Sequence, residues 1–295
     1  MVPSQWEYGF GSNDNPAFFG MWEAASLYVG ASIKAAEIVM DDPSAIGINF
    51  SGGLHHAQKA RASGFCILND ACVAIHHMLR KWDKIVYIDI DVHHGDGVQW
   101  LFYNDPRVLT VSIHESGRWL FPGTGDVDEI GEGAGDGFAL NAPLAPGTTD
   151  ELWMHVFEEA VVPIIEAFDP GAIFLQMGAD AHYLDPIGQL RLTAQGWVKA
   201  VKRVLEMGKP IVAAGGGGYN LTAVPRMWTL AYGALSGIEF DDKIPASFAE
   251  VHQVSTLSDH VVTSLGEDRT QFVEEFDEST ITGIKKLMFP RFGLK

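Results

Sequence analysis

Acids and imidazoles close an apolar run in this chain: Ile85-Val86-Tyr87-Ile88 leads into Asp89-Ile90-Asp91-Val92-His93-His94-Gly95-Asp96-Gly97. Read as a strand, the run puts Asp89, Asp91 and His93 on one face and Ile88, Ile90 and Val92 on the other. Two neighbouring buried carboxylates are unfavourable without a cation or hydrogen-bond donors, so the pattern points to a metal. Gly95 and Gly97 end the run, which places the acids at the carboxyl end of a strand, where open α/β sheets hold their active sites.

Four further constellations follow other apolar runs. Ser51-Gly52-Gly53-Leu54-His55-His56 sets two adjacent histidines after a tight turn, and imidazoles that titrate near neutrality can act as general base and acid beside a metal. Gly178-Ala179-Asp180-Ala181-His182 offers a third protein ligand in Asp180. Gly215-Gly216-Gly217-Gly218-Tyr219-Asn220 lets the backbone bring Tyr219 into a pocket as a donor to developing negative charge. No lysine or serine follows those glycines as a phosphate loop requires. Gly64-Phe65-Cys66 and Leu120-Phe121-Pro122-Gly123 carry two phenylalanines that could wall a narrow apolar channel. His76 and His77, inside a predicted helix, read as surface.

To hold these groups together the chain needs a sheet, and its patterning supplies one. Strands are predicted over 45–50, 84–90, 108–114, 172–177 and 210–214, and helices over 21–40, 69–81, 149–168, 193–207, 223–236 and 274–288. Thr148 and Glu151 read as a capping box for the third helix. The alternation implies an α/β fold: a mostly parallel sheet between two helical layers, with its site at the carboxyl ends of the strands. The glycine-rich stretch 129–137 reads as a flexible loop, and 240–258 as an irregular connection; neither reads as a domain boundary, so 1–295 is expected to form one domain.

At 295 residues and 47% hydrophobic content the chain can bury a substantial core. No apolar run reaches membrane-span length and the first residues lack a signal peptide's character, so a cytoplasmic protein is expected. Cys66 and Cys72 support neither a disulfide framework nor a cysteine metal site and read as free core thiols. A net charge of −18 argues against nucleic acid or an anionic membrane as partner and suits a cationic protein or polyamine substrate.

Taken in order, GGLHHA (52–57), RASGFCILND (61–70), DIDVHHGDGV (89–98), FPGTGD (121–126), GAD (178–180) and GGGGYN (215–220) resemble the zinc-dependent histone deacetylase superfamily. With HESGRWLFPGTG and the closing KKLMFPRFGL, the chain most resembles its bacterial acetoin-utilisation branch. The resemblance implies the arginase/deacetylase fold and removal of acetyl groups from acetyl-lysine by metal-activated water. It implies Zn²⁺ on Asp91, His93 and Asp180, although an Asp₂His site also accepts Fe²⁺ or Co²⁺. It further implies His55 and His56 as tandem histidines backed by Asp89 and Asp96, and Tyr219 as hydrogen-bond donor to the substrate carbonyl. Gly64, Phe65 and Phe121 would line the acyl-lysine tunnel and Asp14 would grip the substrate backbone at the rim. A K⁺ ion would use Asp89, Asp91, His93, Ser112 and Ile113, partly through main-chain oxygens.

Three alternatives stay open. An acetylpolyamine or other small amide also fits a narrow tunnel. A two-manganese, arginase-like hydrolase is disfavoured because Gly95 and His182 stand where its second ion needs carboxylates. A binding protein that keeps the pocket without turnover is the reading from another class. Relatives also begin several tens of residues earlier, with a first strand, helices and an arginine-bearing loop. An exposed sheet edge is therefore expected, which an upstream gene start, a trimmed chain, or a homo-oligomer or other partner covering that region would each explain.

Overall fold

The computed structural model describes residues 4–261 and 265–295. Six strands, β1 (Ile46–Asn49), β2 (Ile85–Asp89), β3 (Val108–Glu115), β4 (Ala139–Leu144), β5 (Ala172–Gln176) and β6 (Ile211–Ala214), form one sheet in the order β1-β6-β5-β2-β3-β4. Every pairing is parallel, with Asp89 in register with Gln176 on one side and Ser112 on the other. The expected α/β architecture is thus observed.

Buried on both faces, β2 shows why its sequence is continuously apolar. Val86 and Ile88 join one core with Trp153, Phe157, Ile173 and Trp197, while Ile85 and Tyr87 join a second with Ala36, Ile75, Met78 and Phe174. The first core lies under the helices α5 (Asp150–Val156), α6 (Val162–Phe168), α7 (Ala194–Glu206), α8 (Ala223–Ser236) and α10 (Glu267–Met288). The second lies under α2 (Met21–Asp41), α3 (Asp70–Met78) and α4 (Asp96–Phe102). Two short helices, α1 (Ser4–Glu7) and α9 (Ala246–His252), complete the set among the described residues.

Several expectations need correction. The stretch 240–258 is not wholly irregular, since it contains α9, and 129–137 is an ordered turn in which Gly137 N–H donates to the Ile130 carbonyl. The helix expected over 149–168 divides into α5, a π-helical turn over Phe157–Val161 and α6. Pro163 has no N–H to complete a regular ladder there. There is no capping box at Thr148 and Glu151: Thr149 is the N-cap and makes no side-chain cap. The Thr148 hydroxyl instead bonds the Ala145 carbonyl and Asp277, both at 2.8 Å. The strand carrying Asp89 stops at that residue, and Asp91 and His93 lie in the bend beyond it.

β4 and α4 were not anticipated. Pro143 argues against a strand, yet β4 is a sheet edge, where a missing N–H is tolerated. β1 forms the other edge, with β6 as its only neighbour among the described residues.

Asp277 fixes α10 to the end of β4 by accepting from the Ala145 N–H at 3.0 Å as well as from Thr148. Burial pushes its carboxyl up to about 6 from 3.8, so the folded state favours the neutral acid. Stability from this group is complete below about pH 4 and lost as pH rises through about 6, a difference of roughly 3 kcal/mol for a shift of this size. Asp277→Asn keeps both contacts without ionising. Its melting temperature should rise relative to the native chain between pH 4 and pH 7, and parallel melting curves would refute this.

Candidate metal centre and histidine pair

Four adjacent strands deliver the site. Beyond β1 come His55 and His56, beyond β2 Asp91, His93 and Asp96, beyond β5 Asp180, and beyond β6 Tyr219. Asp91, His93 and Asp180 are buried, and one donor atom from each lies within 4.8 Å of the others. His93 Nδ1 is 3.0 Å from Asp91 Oδ1 and 3.1 Å from Asp180 Oδ2.

The other oxygen of each carboxylate is held by protein donors. Asp91 Oδ2 accepts from Gln176 Nε2 at 2.9 Å and Gly217 N–H at 2.8 Å, and Asp180 Oδ1 accepts from Val92 N–H at 2.8 Å. Each acid therefore turns one oxygen toward His93. A β-carbon on Gly178 would stand 2.0 Å from Asp91 Oδ2, so only glycine lets the backbone approach so closely. Burial and the Asp91 charge push the Asp180 carboxyl up, while His55 and His93 hold Asp91 down against its burial. Burial opposes a charged His93, but the two aspartates outweigh it and lift the imidazole to about 11. Two oxygens and one imidazole nitrogen that together demand positive charge fit a divalent cation.

Beside this trio stand the two histidines. Asp89 Oδ2 lies 2.7 Å from His55 Nδ1, Asp96 Oδ1 lies 2.7 Å from His56 Nδ1, and the two Nε2 atoms are 3.0 Å apart. With each Nδ1–H given to a carboxylate, a proton shared between the Nε2 atoms completes the contact. Burial disfavours the cation on both rings. The charges of Asp89 and Asp91 overcome it at His55, which rises to about 9, whereas at His56 the neighbouring His55 adds to it and the ring falls to about 4.

The trio, both histidines, Phe65 and Tyr219 line one cavity of about 60 Å³. The Tyr219 ring is 5.9 Å from that of Phe65, and Phe121 packs edge-on to His56 at 5.0 Å. Burial, then the charges of Asp91 and Asp180, raise the Tyr219 hydroxyl well above the usual phenol range and keep it a donor. Gly64, at φ +50°, leaves no room for a side chain against His56, where a β-carbon would fall 2.4 Å from Cδ2.

Asp14 is exposed and makes no hydrogen bond to the site groups among the described residues; its neighbour Asn15 donates to the Cys66 carbonyl at 3.3 Å. Of the residues expected around K⁺, Asp89 and Ser112 are register partners and Ile113 is buried beside them on β3. His76 is exposed and the two cysteines are free and buried, as expected.

Sequence reasoning missed three residues that hold the site together. Gln176, the last residue of β5, ties Asp91 to the Gly53 carbonyl and the Gly178 N–H. Asp70, fully buried, accepts from the N–H groups of Gly53 and Leu54 and from the Ser32 hydroxyl. Asp185 accepts from the Tyr219 N–H at 2.8 Å. A polar residue at the end of an otherwise apolar strand was the available signal for Gln176; nothing local marks Asp185.

Such a sheet, with acids and imidazoles at its carboxyl edge, defines an α/β protein with a candidate metal centre. The model of the histone deacetylase domain matches residues 2–235, and the chain belongs to that family. It is 43% identical over 239 residues to Putative histone deacetylase 2 of Caenorhabditis elegans, covering 81% of this chain and 47% of that one. It is 43% identical over 245 residues to the acetoin utilization protein AcuC of Bacillus subtilis, covering 81% and 63%. Histone deacetylase clr6 of Schizosaccharomyces pombe is 36% identical over 292 residues, covering 97% and 71%. The chain thus spans about half to two-thirds of the length of most such relatives. No helix among the described residues is long and apolar enough to cross a membrane.

Proposed function

We propose that residues 1–295 act as one catalytic domain, a metal-dependent deacetylase of acetyl-lysine in the cytoplasm. The observation that carries this reading is the convergence of an Asp₂His donor set, two carboxylate-backed histidines and a tyrosine on one cavity. Asp91, His93 and Asp180 would hold the divalent ion, with Zn²⁺ the first candidate, and the ion would supply Lewis acidity to the amide carbonyl and the attacking water.

The chain's own groups do the rest. His56, oriented by Asp96, takes the proton of the water and then returns one to the departing lysine amine. His55, held by Asp89, supplies positive charge beside it. Tyr219 donates to the oxygen that becomes negative as the amide carbon turns tetrahedral. Phe65 and Phe121 exclude water from the lysine stem. The products are acetate and a free amine. Asp14 would grip the peptide backbone, and a K⁺ ion beside Asp89, Asp91, His93, Ser112 and Ile113 would offset the buried carboxylates.

Acetate release from an acetyl-lysine peptide, abolished by a chelator and restored by Zn²⁺, tests the reading. Turnover that survives chelation would reject it, and faster turnover of acetylpolyamines would move the substrate to small amines. Tyr219→Phe should lower kcat about 10²–10³-fold, the range for one oxyanion donor. A variant with native kcat would remove Tyr219 from that role.

A further inference from the structure

We propose that Asp259 is a positioning residue for Tyr219, acting through His182 and Asp185 on the loop after β5. The inference rests on the deacetylase reading, because it names what holds the oxyanion donor of that reading in place. Tyr219 needs such a support. Gly218 before it stands at φ +141°, a conformation that fixes little by itself, and Tyr219 is 39% exposed, so packing alone does not hold it.

A closed circuit of hydrogen bonds supplies it. The Tyr219 N–H donates to Asp185 Oδ2 at 2.8 Å, the Asn220 side chain donates to the Leu184 carbonyl at 3.0 Å, and the Asp185 N–H donates to the His182 carbonyl at 2.8 Å. The His182 ring, fully buried, accepts the Leu184 N–H on Nδ1 at 3.2 Å, which puts its proton on Nε2, 3.0 Å from Asp259 Oδ2. Asp259 Oδ1 accepts from Arg226 Nη1 at 2.9 Å, and Arg226 lies on α8, just beyond Tyr219, with its Nε–H on the Thr222 carbonyl. Asp259 therefore joins the loop after β5 to the segment that follows Tyr219.

Asp259 is itself anchored. Its N–H donates to Gln195 Oε1 at 2.8 Å and its carbonyl accepts from Gln195 Nε2 at 3.0 Å, while Oδ2 also takes the Ala194 N–H of α7 at 2.7 Å. Burial opposes its charge, but the His182 hydrogen bond, the Ala194 N–H and the Arg226 charge outweigh it and hold the carboxyl down to about 2, so both oxygens remain acceptors. Asp180 has ties of its own, to the Val92 N–H and to His93, so the donor set for the ion does not depend on Asp259. Asp259 also lies beyond residues 2–235 that the family model matches, and membership of the family assigns it no role.

Native-state hydrogen exchange and peptide kinetics test the proposal. In the native chain the amides of Leu184, Asp185, Ala194 and Tyr219 should exchange through one shared opening. A Tyr219 amide that opens on its own would overturn the circuit, and that measurement needs no variant. Asp259→Asn keeps the size of the side chain but can accept on one of its two sides only. It should speed exchange of the Tyr219 amide and lower kcat for an acetyl-lysine peptide by up to about 10²-fold, the cost of a displacement of ~1 Å, with KM little changed. The rise in melting temperature expected on adding Zn²⁺ should be kept. In a Tyr219→Phe chain the same substitution should cost almost nothing further, because both changes act through one hydroxyl. Native kcat in Asp259→Asn, losses that multiply in the double variant, or a lost response to Zn²⁺ would each overturn the positioning role. A shared opening in a chain that releases no acetate would keep the circuit and sink the deacetylase reading; acetate release with an independent Tyr219 amide would do the reverse.

Discussion

Asp91→Ala should abolish acetate release and, in the same protein, remove the rise in melting temperature expected when Zn²⁺ is added to the native chain. The carboxylate is fully buried, and with Asp180 and His93 it forms the donor set. An ion present at about a hundred times its dissociation constant stabilises the folded state by roughly 2.7 kcal/mol, provided it does not bind the unfolded chain. Removing one of three ligands leaves a two-ligand site that such a concentration does not fill. The alanine variant also loses one of two repelling buried carboxylates, so without metal it need not be less stable than the native chain. Melting curves with Zn²⁺ and with chelator separate the effects. A variant that still gained several degrees on adding Zn²⁺ would show that the ion sits elsewhere.

His56→Ala should leave that thermal response intact while cutting kcat by about 10²–10⁴-fold, the range for loss of a positioned general acid or base. The contrast with Asp91→Ala is the informative part. His56 is 3.0 Å from His55 and its ring packs 5.8 Å from that of His93, but it contributes no atom to the donor set. Burial is the larger cause that holds His56 low and the charge of His55 the next, so His55→Ala removes the second only and should move the surviving imidazole part of the way toward its ordinary range. If His56→Ala and His55→Ala proved equally damaging, the pair would act as a unit with no division of labour. If His56→Ala turned over like the native chain, proton transfer would have to be assigned to another group.

Much of this was legible because the chemistry lies in short segments just beyond strands. A run such as 85–97 shows at once the burial and the break around its candidate ligands, although Asp91 and His93 lie in the bend beyond the strand and not on one of its faces. Gly95 was legible as the break in that run, whereas Gly178 makes room for Asp91 from 87 residues away, a β-carbon there falling 2.0 Å from its Oδ2. What escaped was contact at a distance. Asp70 lies 16 and 17 residues from the amides of Leu54 and Gly53 that it holds, and Gln176 lies 85 residues from Asp91. Tertiary context also overrode local signals. Pro143 hid an edge strand, Pro163 divided a helix, and Thr148 spent its hydroxyl on α10 instead of capping α5.

The strand order carries one more consequence, for how this protein reaches its working form. Neighbours β2 and β5 are 82 residues or more apart along the chain, as are Asp89 and its register partner Gln176, so the pocket comes into being only after distant segments have found one another. Such topologies search slowly, and a one-residue slip of β5 would turn Gln176 away from the cavity. A metal can recognise the product of that search but cannot guide its early stages. It should therefore act as a latch, lengthening the lifetime of the assembled state while leaving the rate of its formation almost unchanged.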